Sequence, residues 1–263
     1  MSQNFLKDPE LAKALVEKSS INKEDIVLEI GPGSGIITSE LLTMAKKVIA
    51  VELDIKYFEQ LKEELAENEK LELHNADILT FDLPSFPYKV FSNLPFRFTG
   101  EVINKLLRSN NPPLDGYLII QKEAAEKFIR NSLVSVLYNP WYEFSILYNF
   151  NPNDFIPAPG VNVVLLQIQK RPSPLINNLE RTTYLDFVAY VFSQKKPRVF
   201  RISHPTRLKL PQWVGLFNSF GEQKEYLASR VRGAANKLFD EQMDLHKIHR
   251  TRTDKRWKTF QAR

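Results

Sequence analysis

The chain has no cysteine among its 263 residues, which excludes a disulfide framework, a thiolate metal site and a cysteine nucleophile. Histidine is scarce as well. Of His74, His204, His246 and His249 only the last two lie close together, and with no carboxylate cluster beside them no metal is expected. No apolar run approaches the roughly 20 residues that span a bilayer, and Met1-Ser2-Gln3-Asn4 lacks a basic stretch followed by an apolar one. These absences lead us to expect a soluble, cytoplasmic protein without a membrane partner, acting as a monomer. There is no internal repeat.

What is present is ordinary globular composition, 43% hydrophobic and 25% charged, in a chain long enough for one large core or a large and a small one. The net charge of +5 conceals a division. Residues 1–180 carry 18 basic and 24 acidic side chains, 18 − 24 = −6, whereas residues 181–263 carry 18 and 7, 18 − 7 = +11. A basic body joined to an acidic one points to a polyanion partner, the alternative being a solvated basic face.

Short β-branched runs alternate with helical patterns. The runs at 26–30, 48–51, 71–73, 89–91 and 116–120 read as buried strands, and the stretches around 8–19, 36–42, 56–67 and 99–108 as helices. This alternation predicts an α/β fold, a Rossmann-like open parallel sheet. Residues 141–150 and 161–169 read as an antiparallel hairpin at its end. Prolines and asparagines at 171–183 break the periodicity, and the stripes Tyr184, Phe187, Val188, Val191, Phe192 and Trp213, Leu216, Phe217, Phe220 predict a small helical domain beyond. The expected domains are 1–175 and 176–263.

Glu29-Ile30-Gly31-Pro32-Gly33-Ser34-Gly35 follows a strand and opens a helix. Its glycines permit a sharp turn and close approach of a ligand to the main chain. Glu52 ends the second strand, where a carboxylate can accept hydrogen bonds from ribose hydroxyls. Together these form a nucleoside-cofactor pattern. With Ile36 where a third dinucleotide-type glycine would stand, the pattern is G-x-G-x-G and suits S-adenosylmethionine, which has no pyrophosphate to seat on a helix N-terminus. Asp77, after the third strand, can accept adenine amino protons or serve as a turn aspartate.

Asn93-Leu94-Pro95-Phe96 follows the fourth strand. A purine exocyclic amine is a poor nucleophile, and methylating it needs acceptors for its protons and an aromatic plate for the base. The Asn93 amide oxygen and the Leu94 carbonyl supply the first, Phe96 the second, and Pro95 fixes the turn. The same four residues would otherwise be a proline turn with a core phenylalanine.

With these motifs the sequence resembles the rRNA adenine N6-dimethyltransferase family, which includes the Erm and KsgA enzymes. The resemblance covers residues 2–170 well and 184–220 loosely. It rests on Ser2-Gln3-Asn4-Phe5-Leu6, Glu29 to Gly35, Val51-Glu52-Leu53-Asp54, Asn75-Ala76-Asp77-Ile78, Asn93 to Phe96 and Phe155-Ile156-Pro157-Ala158-Pro159. It implies that Gln3 and Asn4 close over the methionine end of S-adenosylmethionine, that Gly31 lies along it, and that Leu6, Gly33, Leu53 and Asn93 also contact the cofactor. Glu52 then holds the ribose, and Asp77 and the Ile78 amide read the adenine. Asn93 and Leu94 would hold the target N6 while Phe96 and Phe155 sandwich the base. Phe96 departs from the family's usual tyrosine, keeping the stacking face without the hydroxyl. Relatives also carry basic residues before Ser-Gln-Asn-Phe, which this sequence does not show.

Ser132 to Val136, Pro140 to Glu143 and Gln212 to Phe217 look like the Erm enzymes; Gln121-Lys122-Glu123 and Phe192 to Lys196 look like KsgA. The Erm-like reading is N6 methylation of an adenine in 23S rRNA, once or twice, giving macrolide-lincosamide-streptogramin resistance. The alternatives are a KsgA-like 16S rRNA dimethyltransferase and a non-catalytic RNA-binding assembly factor. A dehydrogenase is disfavoured by Ile36 and by Asn93 to Phe96. For RNA contact we expect Lys195, Lys196, Arg198, Arg201 and Arg207, a cluster that neutralises phosphates without reading sequence. The basic tail 247–263, with Trp257 and Phe260, reads either as a segment that orders on RNA or as a solubilising end.

Overall fold

Five of the expected strands form the parallel part of one sheet. In the computed structural model, which describes residues 4–65, 67–193, 202, 205–243, 247–248 and 252–253, the chain divides into two units. One comprises Met1–Ala125 and Phe144–Lys170, the other Glu126–Glu143 and Arg171–Arg263.

In the first unit β2 (Ile26–Ile30), β3 (Lys47–Glu52), β4 (Leu71–Asn75), β5 (Lys89–Asn93) and β6 (Asp115–Gln121) run parallel in the order β4-β3-β2-β5-β6. β9 (Val163–Lys170) joins β6 antiparallel, and β7 (Tyr142–Asn149) follows it in the seven-stranded order. Val27, Leu28, Val48, Ala50, Val90, Phe91, Leu118 and Ile119 are inaccessible to solvent. Each such valine, leucine, isoleucine or phenylalanine contributes roughly 1.5–3 kcal/mol. Helices α1 (Pro9–Glu17), α2 (Ile36–Met44), α3 (Ile55–Glu64) and α4 (Thr99–Arg108) fall between the strands. Two are capped by aspartates: Asp8 accepts the Glu10 N–H at 3.0 Å, and Asp54 that of Lys56 at 3.0 Å. A two-residue β1 (Phe5–Leu6), which has too few residues to show any periodicity, pairs antiparallel with β8 (Phe155–Ile156).

α5 (Lys122–Ile129) carries the chain from the first unit into the second. The second holds α6 (Leu133–Tyr138), α7 (Arg181–Ser193), α8 (Leu210–Asn218), α9 (Lys224–Val231) and α10 (Ala234–Met243). α7 packs on α6, α9 and α10. Tyr184, Phe187, Trp213 and Phe217 from the two expected stripes are fully buried. Asp186, on the same helix α7, caps α10 by accepting the Gly233 and Ala235 N–H groups at 3.0 and 2.9 Å. The expected division after residue 175 assigns 126–143 to the first domain; here that segment groups with the second unit. The proline-bearing stretch after Lys170 is tied to it: the Arg171 N–H donates to the Trp141 carbonyl at 2.8 Å and the Leu175 N–H to that of Pro140 at 2.9 Å. Lys247–Ile248 and Arg252–Thr253 pair as β10 and β11; the rest of the basic tail, with His204, His246 and His249, lies outside the described residues. Among the described residues no helix is long and apolar enough to cross a membrane.

Candidate functional site

The strand order places β3 on one side of β2 and β5 on the other. The crossovers therefore diverge between β2 and β5, and the carboxyl ends of these strands bound the crevice where such sheets take ligands. The two motifs read from the sequence follow these two strands.

After β2 the backbone turns through Gly31, Gly33 and Gly35, all at positive φ. At Gly33 a Cβ would lie 2.6 Å from Phe5 Cε1, so glycine there makes room for the protein's own N-terminal strand. At Gly31, with φ +66°, a Cβ would meet nothing within 4 Å. That open space faces a cleft lined by Gly31 with Asn4, Phe5, Leu6, Glu29, Pro32, Ser34, Ile36, Ile37 and Asn93 to Phe96.

Asn93 ends β5, and its Nδ2 donates to the Asn4 carbonyl at 2.8 Å. One of its two amide N–H groups is thus engaged, which fixes the orientation of the amide, and the amide oxygen is its acceptor. Leu94 is buried, its N–H given to the Ile119 carbonyl at 3.2 Å. Pro95 accepts the Phe98 N–H at 3.0 Å in the turn that starts α4, and Phe96 is half-buried at the cleft wall. Asn4 in turn donates its Nδ2 to the Pro157 carbonyl at 2.6 Å.

The cleft gathers Asn4, Leu6, Gly31, Asn93, Leu94, Pro95 and Phe96 of the expected residues. Gly33, Glu52, Leu53, Asp77, Ile78 and Phe155 are not in its lining. Glu52, buried at the end of β3, accepts the Gly33 N–H at 2.9 Å and the Asp54 N–H at 2.8 Å, one on each carboxylate oxygen. Each oxygen retains a lone pair for a ligand. Leu53 is exposed beside it, and Asn75 Nδ2 donates to the Glu52 carbonyl at 2.9 Å. Asp77 accepts the Leu79 N–H at 2.8 Å, a turn role, with Ile78 half-buried next to it. Phe155 sits in the core with its ring centroid 5.1 Å from that of Phe150. Gln3, Lys195, Lys196, Arg198 and Arg201 lie outside the described residues. Arg207 is exposed in a short turn whose Thr206 carbonyl accepts Asn131 Nδ2 at 2.8 Å. No three His, Cys, Asp or Glu side chains gather as a metal site among the described residues.

The cleft also contains a group that sequence reasoning left without a role. Glu29 is 1% exposed, and its Oε2 has no hydrogen-bond partner. Burial pushes its carboxyl up to about 8; the Thr38 hydroxyl opposes this rise and the Glu52 carboxylate adds to it. That hydroxyl itself lacks a hydrogen bond of ordinary geometry. The available signal was a carboxylate inside the otherwise apolar strand Ile26-Val27-Leu28-Glu29-Ile30.

The family model for ribosomal RNA adenine dimethylase matches residues 1–206. An rRNA adenine N-6-methyltransferase of Bacteroides fragilis is 30% identical over 196 residues, 73% of either chain. The ribosomal RNA small subunit methyltransferase A of Malacoplasma penetrans is 32% identical over 210 residues, 76% of this chain and 75% of that protein. Two crystal structures share the fold: the 23S rRNA methyltransferase ErmE, with TM-score 0.70, 24% identity and 82% and 98% of the two chains covered, and a dimethyladenosine transferase from Plasmodium falciparum, with 0.72, 21%, 84% and 98%. The chain therefore belongs to the ribosomal RNA adenine dimethylase family of S-adenosylmethionine-dependent methyltransferases.

Proposed function

We propose that this protein methylates the N6 amine of an adenine in 23S rRNA, once or twice, and so gives resistance to macrolide, lincosamide and streptogramin antibiotics. The observation that carries the chemistry is the bond from Asn93 Nδ2 to the Asn4 carbonyl, which orients the amide of a cleft residue whose oxygen is an acceptor. That oxygen and the Leu94 carbonyl accept hydrogen bonds from the two amine N–H groups, which draws the nitrogen lone pair out of the ring; as the N–C bond forms and the S–C bond breaks, the nitrogen sheds one proton to solvent. Phe96 provides a face for the base, by stacking alone because it lacks a hydroxyl. Positioning carries much of the barrier reduction, so no general base is needed.

The cleft fits the methyl donor. Gly31 presents main chain with no Cβ in the way, and Glu29 offers a buried oxygen without a protein partner. S-adenosylmethionine supplies the electrophilic methyl group when bound. Asn4, Leu6 and Gly31 would hold its methionine end, with Gln3 beside them in sequence, and Gly33, Glu52, Leu53, Asp77 and Ile78 its nucleoside.

The choice of 23S rRNA rests on the second unit, which we assign to RNA docking in the cytoplasm. Three of its segments, 132–136, 140–143 and 212–217, resemble Erm enzymes, and one, 192–196, resembles KsgA. By this reading Lys195, Lys196, Arg198, Arg201 and Arg207 contact phosphates. The second reading, a 16S rRNA dimethyltransferase in small-subunit assembly, is favoured by relatives named small subunit methyltransferase A at 31–32% identity. Incubating the protein with labelled S-adenosylmethionine and, in parallel, protein-free 23S rRNA or immature small subunits, then mapping the products by primer extension, separates the two. Labelling of one 23S adenine is expected; labelling of 16S rRNA in immature small subunits instead overturns the 23S assignment.

A further inference from the structure

Resting on S-adenosylmethionine as the ligand of this cleft, we propose that its binding expels a proton from Glu29, turning an acid that is neutral in the free protein into the counter-charge of the cofactor's cationic end. Glu29 faces the cleft from the middle of the sheet. Its register neighbours are Ala50 on β3 and Phe91 on β5, neither of which brings a charge. From α2 it meets the Thr38 hydroxyl, and among the described residues the charged group acting on it is Glu52. The polar cleft residues Asn4, Ser34 and Asn93 do not titrate. Glu52 is itself tied by the Gly33 and Asp54 N–H groups. Ionising Glu29 without a cation would therefore place two carboxylates together away from water, with Oε2 unpartnered.

S-adenosylmethionine carries a sulfonium and an ammonium. Either charge in this cleft reverses the balance. The carboxyl O–H bond of Glu29 breaks, the proton passes to the buffer, and the carboxylate remains as partner of the cation. No oxidant or further reactant is required. With burial pushing the free carboxyl up to about 8, affinity then rises with pH up to that range and levels off above it. Linkage gives about 50-fold tighter binding at pH 8 than at pH 6 when the bound acid is fully ionised.

The test is isothermal calorimetry near pH 7 in phosphate and in Tris, whose ionisation enthalpies differ. For wild-type protein and S-adenosylmethionine the buffer difference should report about 0.9 proton released per ligand bound. Glu29→Gln, which imitates the neutral acid in shape, should release none. Wild-type protein with methylthioadenosine, a nucleoside thioether without either cation, should also release none, and this arm needs no variant to fold. S-adenosylmethionine binding with the same enthalpy in both buffers overturns the proposal while leaving the cofactor assignment standing. An absence of any binding by S-adenosylmethionine overturns both.

Discussion

The two ends of the parallel sheet bury charge in opposite ways. At the amino ends, Lys89 of β5 donates to the Ser20 carbonyl at 2.7 Å and to the Asp25 carboxylate at 2.8 Å, with Asp115 of β6 4.0 Å away. Ser20 completes the set by donating its Oγ to Asp115 at 2.5 Å and its N–H to the Tyr117 hydroxyl at 2.8 Å. A cation and two acids satisfy one another there. At the carboxyl ends two acids, Glu29 and Glu52, act on each other, and one oxygen has no partner. An arrangement that serves stability pairs its charges within the protein. One that leaves a buried acid short of a cation is matched to a ligand that brings one.

Four substitutions break or sharpen this contrast. The largest effect is expected in the pH dependence set by Glu29. Its carboxyl is raised in the folded state, so the stability it contributes is fully present below the ordinary value of 4.5 and is lost as pH rises to about 8. At about 1.36 kcal/mol per unit this amounts to roughly 4–5 kcal/mol. Urea denaturation of the ligand-free protein across this range should show the decline, and Glu29→Gln should flatten it. Lys89→Ala attacks the opposite end and leaves Asp25 partly buried without its cation; a loss of about 3–5 kcal/mol is expected in the same measurement, with little pH dependence of the Glu29 kind. Asn93→Ala, which also removes the bond to the Asn4 carbonyl, should cost only about 1 kcal/mol of stability while lowering kcat by about 10²–10³-fold, the scale for removing one well-placed hydrogen-bonding group, in steady-state methylation of rRNA. The smallest effect belongs to Gly33→Ala, where left-handed backbone costs roughly 1–2 kcal/mol and the methyl meets the Phe5 ring. Thermal melting measures this loss.

The amino-end cluster was not read from the sequence, and the carboxyl-end site was read in part. Ile26–Ile30 is legible as a strand because five residues of that composition, followed by glycine, have few other uses. Asn93 to Phe96 is legible because its chemistry is local: acceptors, turn and aromatic plate lie on consecutive residues. Glu29 was not, since its meaning depends on Glu52 across the sheet and on the lack of a partner, neither of which is a property of nearby sequence. Phe155 shows the converse. Its motif marks it for base stacking, yet its exposure is set by Phe150 and by pairing with β1. Residues 126–143 group with the second unit because Val136, Leu137, Tyr138 and Trp141 are apolar enough for either core, and long-range contacts such as Tyr184 Oη to the Val136 carbonyl at 3.1 Å decide between them.

The charge division follows the structural units as well. Counted over the second unit there are 21 basic and 10 acidic residues, 21 − 10 = +11, which leaves 36 − 21 = 15 basic and 31 − 10 = 21 acidic in the first, 15 − 21 = −6. The acids that define the site belong to the acidic unit, and the basic unit has the charge for a phosphate backbone.

The contrast between the sheet ends is tested most directly by the stabilisation that saturating S-adenosylmethionine confers at pH 6 and at pH 8, measured by denaturation with and without ligand. A cleft whose buried acid waits for a cation should gain more at pH 8, by about 2 kcal/mol for a 50-fold change in affinity. Equal stabilisation at the two pH values would contradict the account.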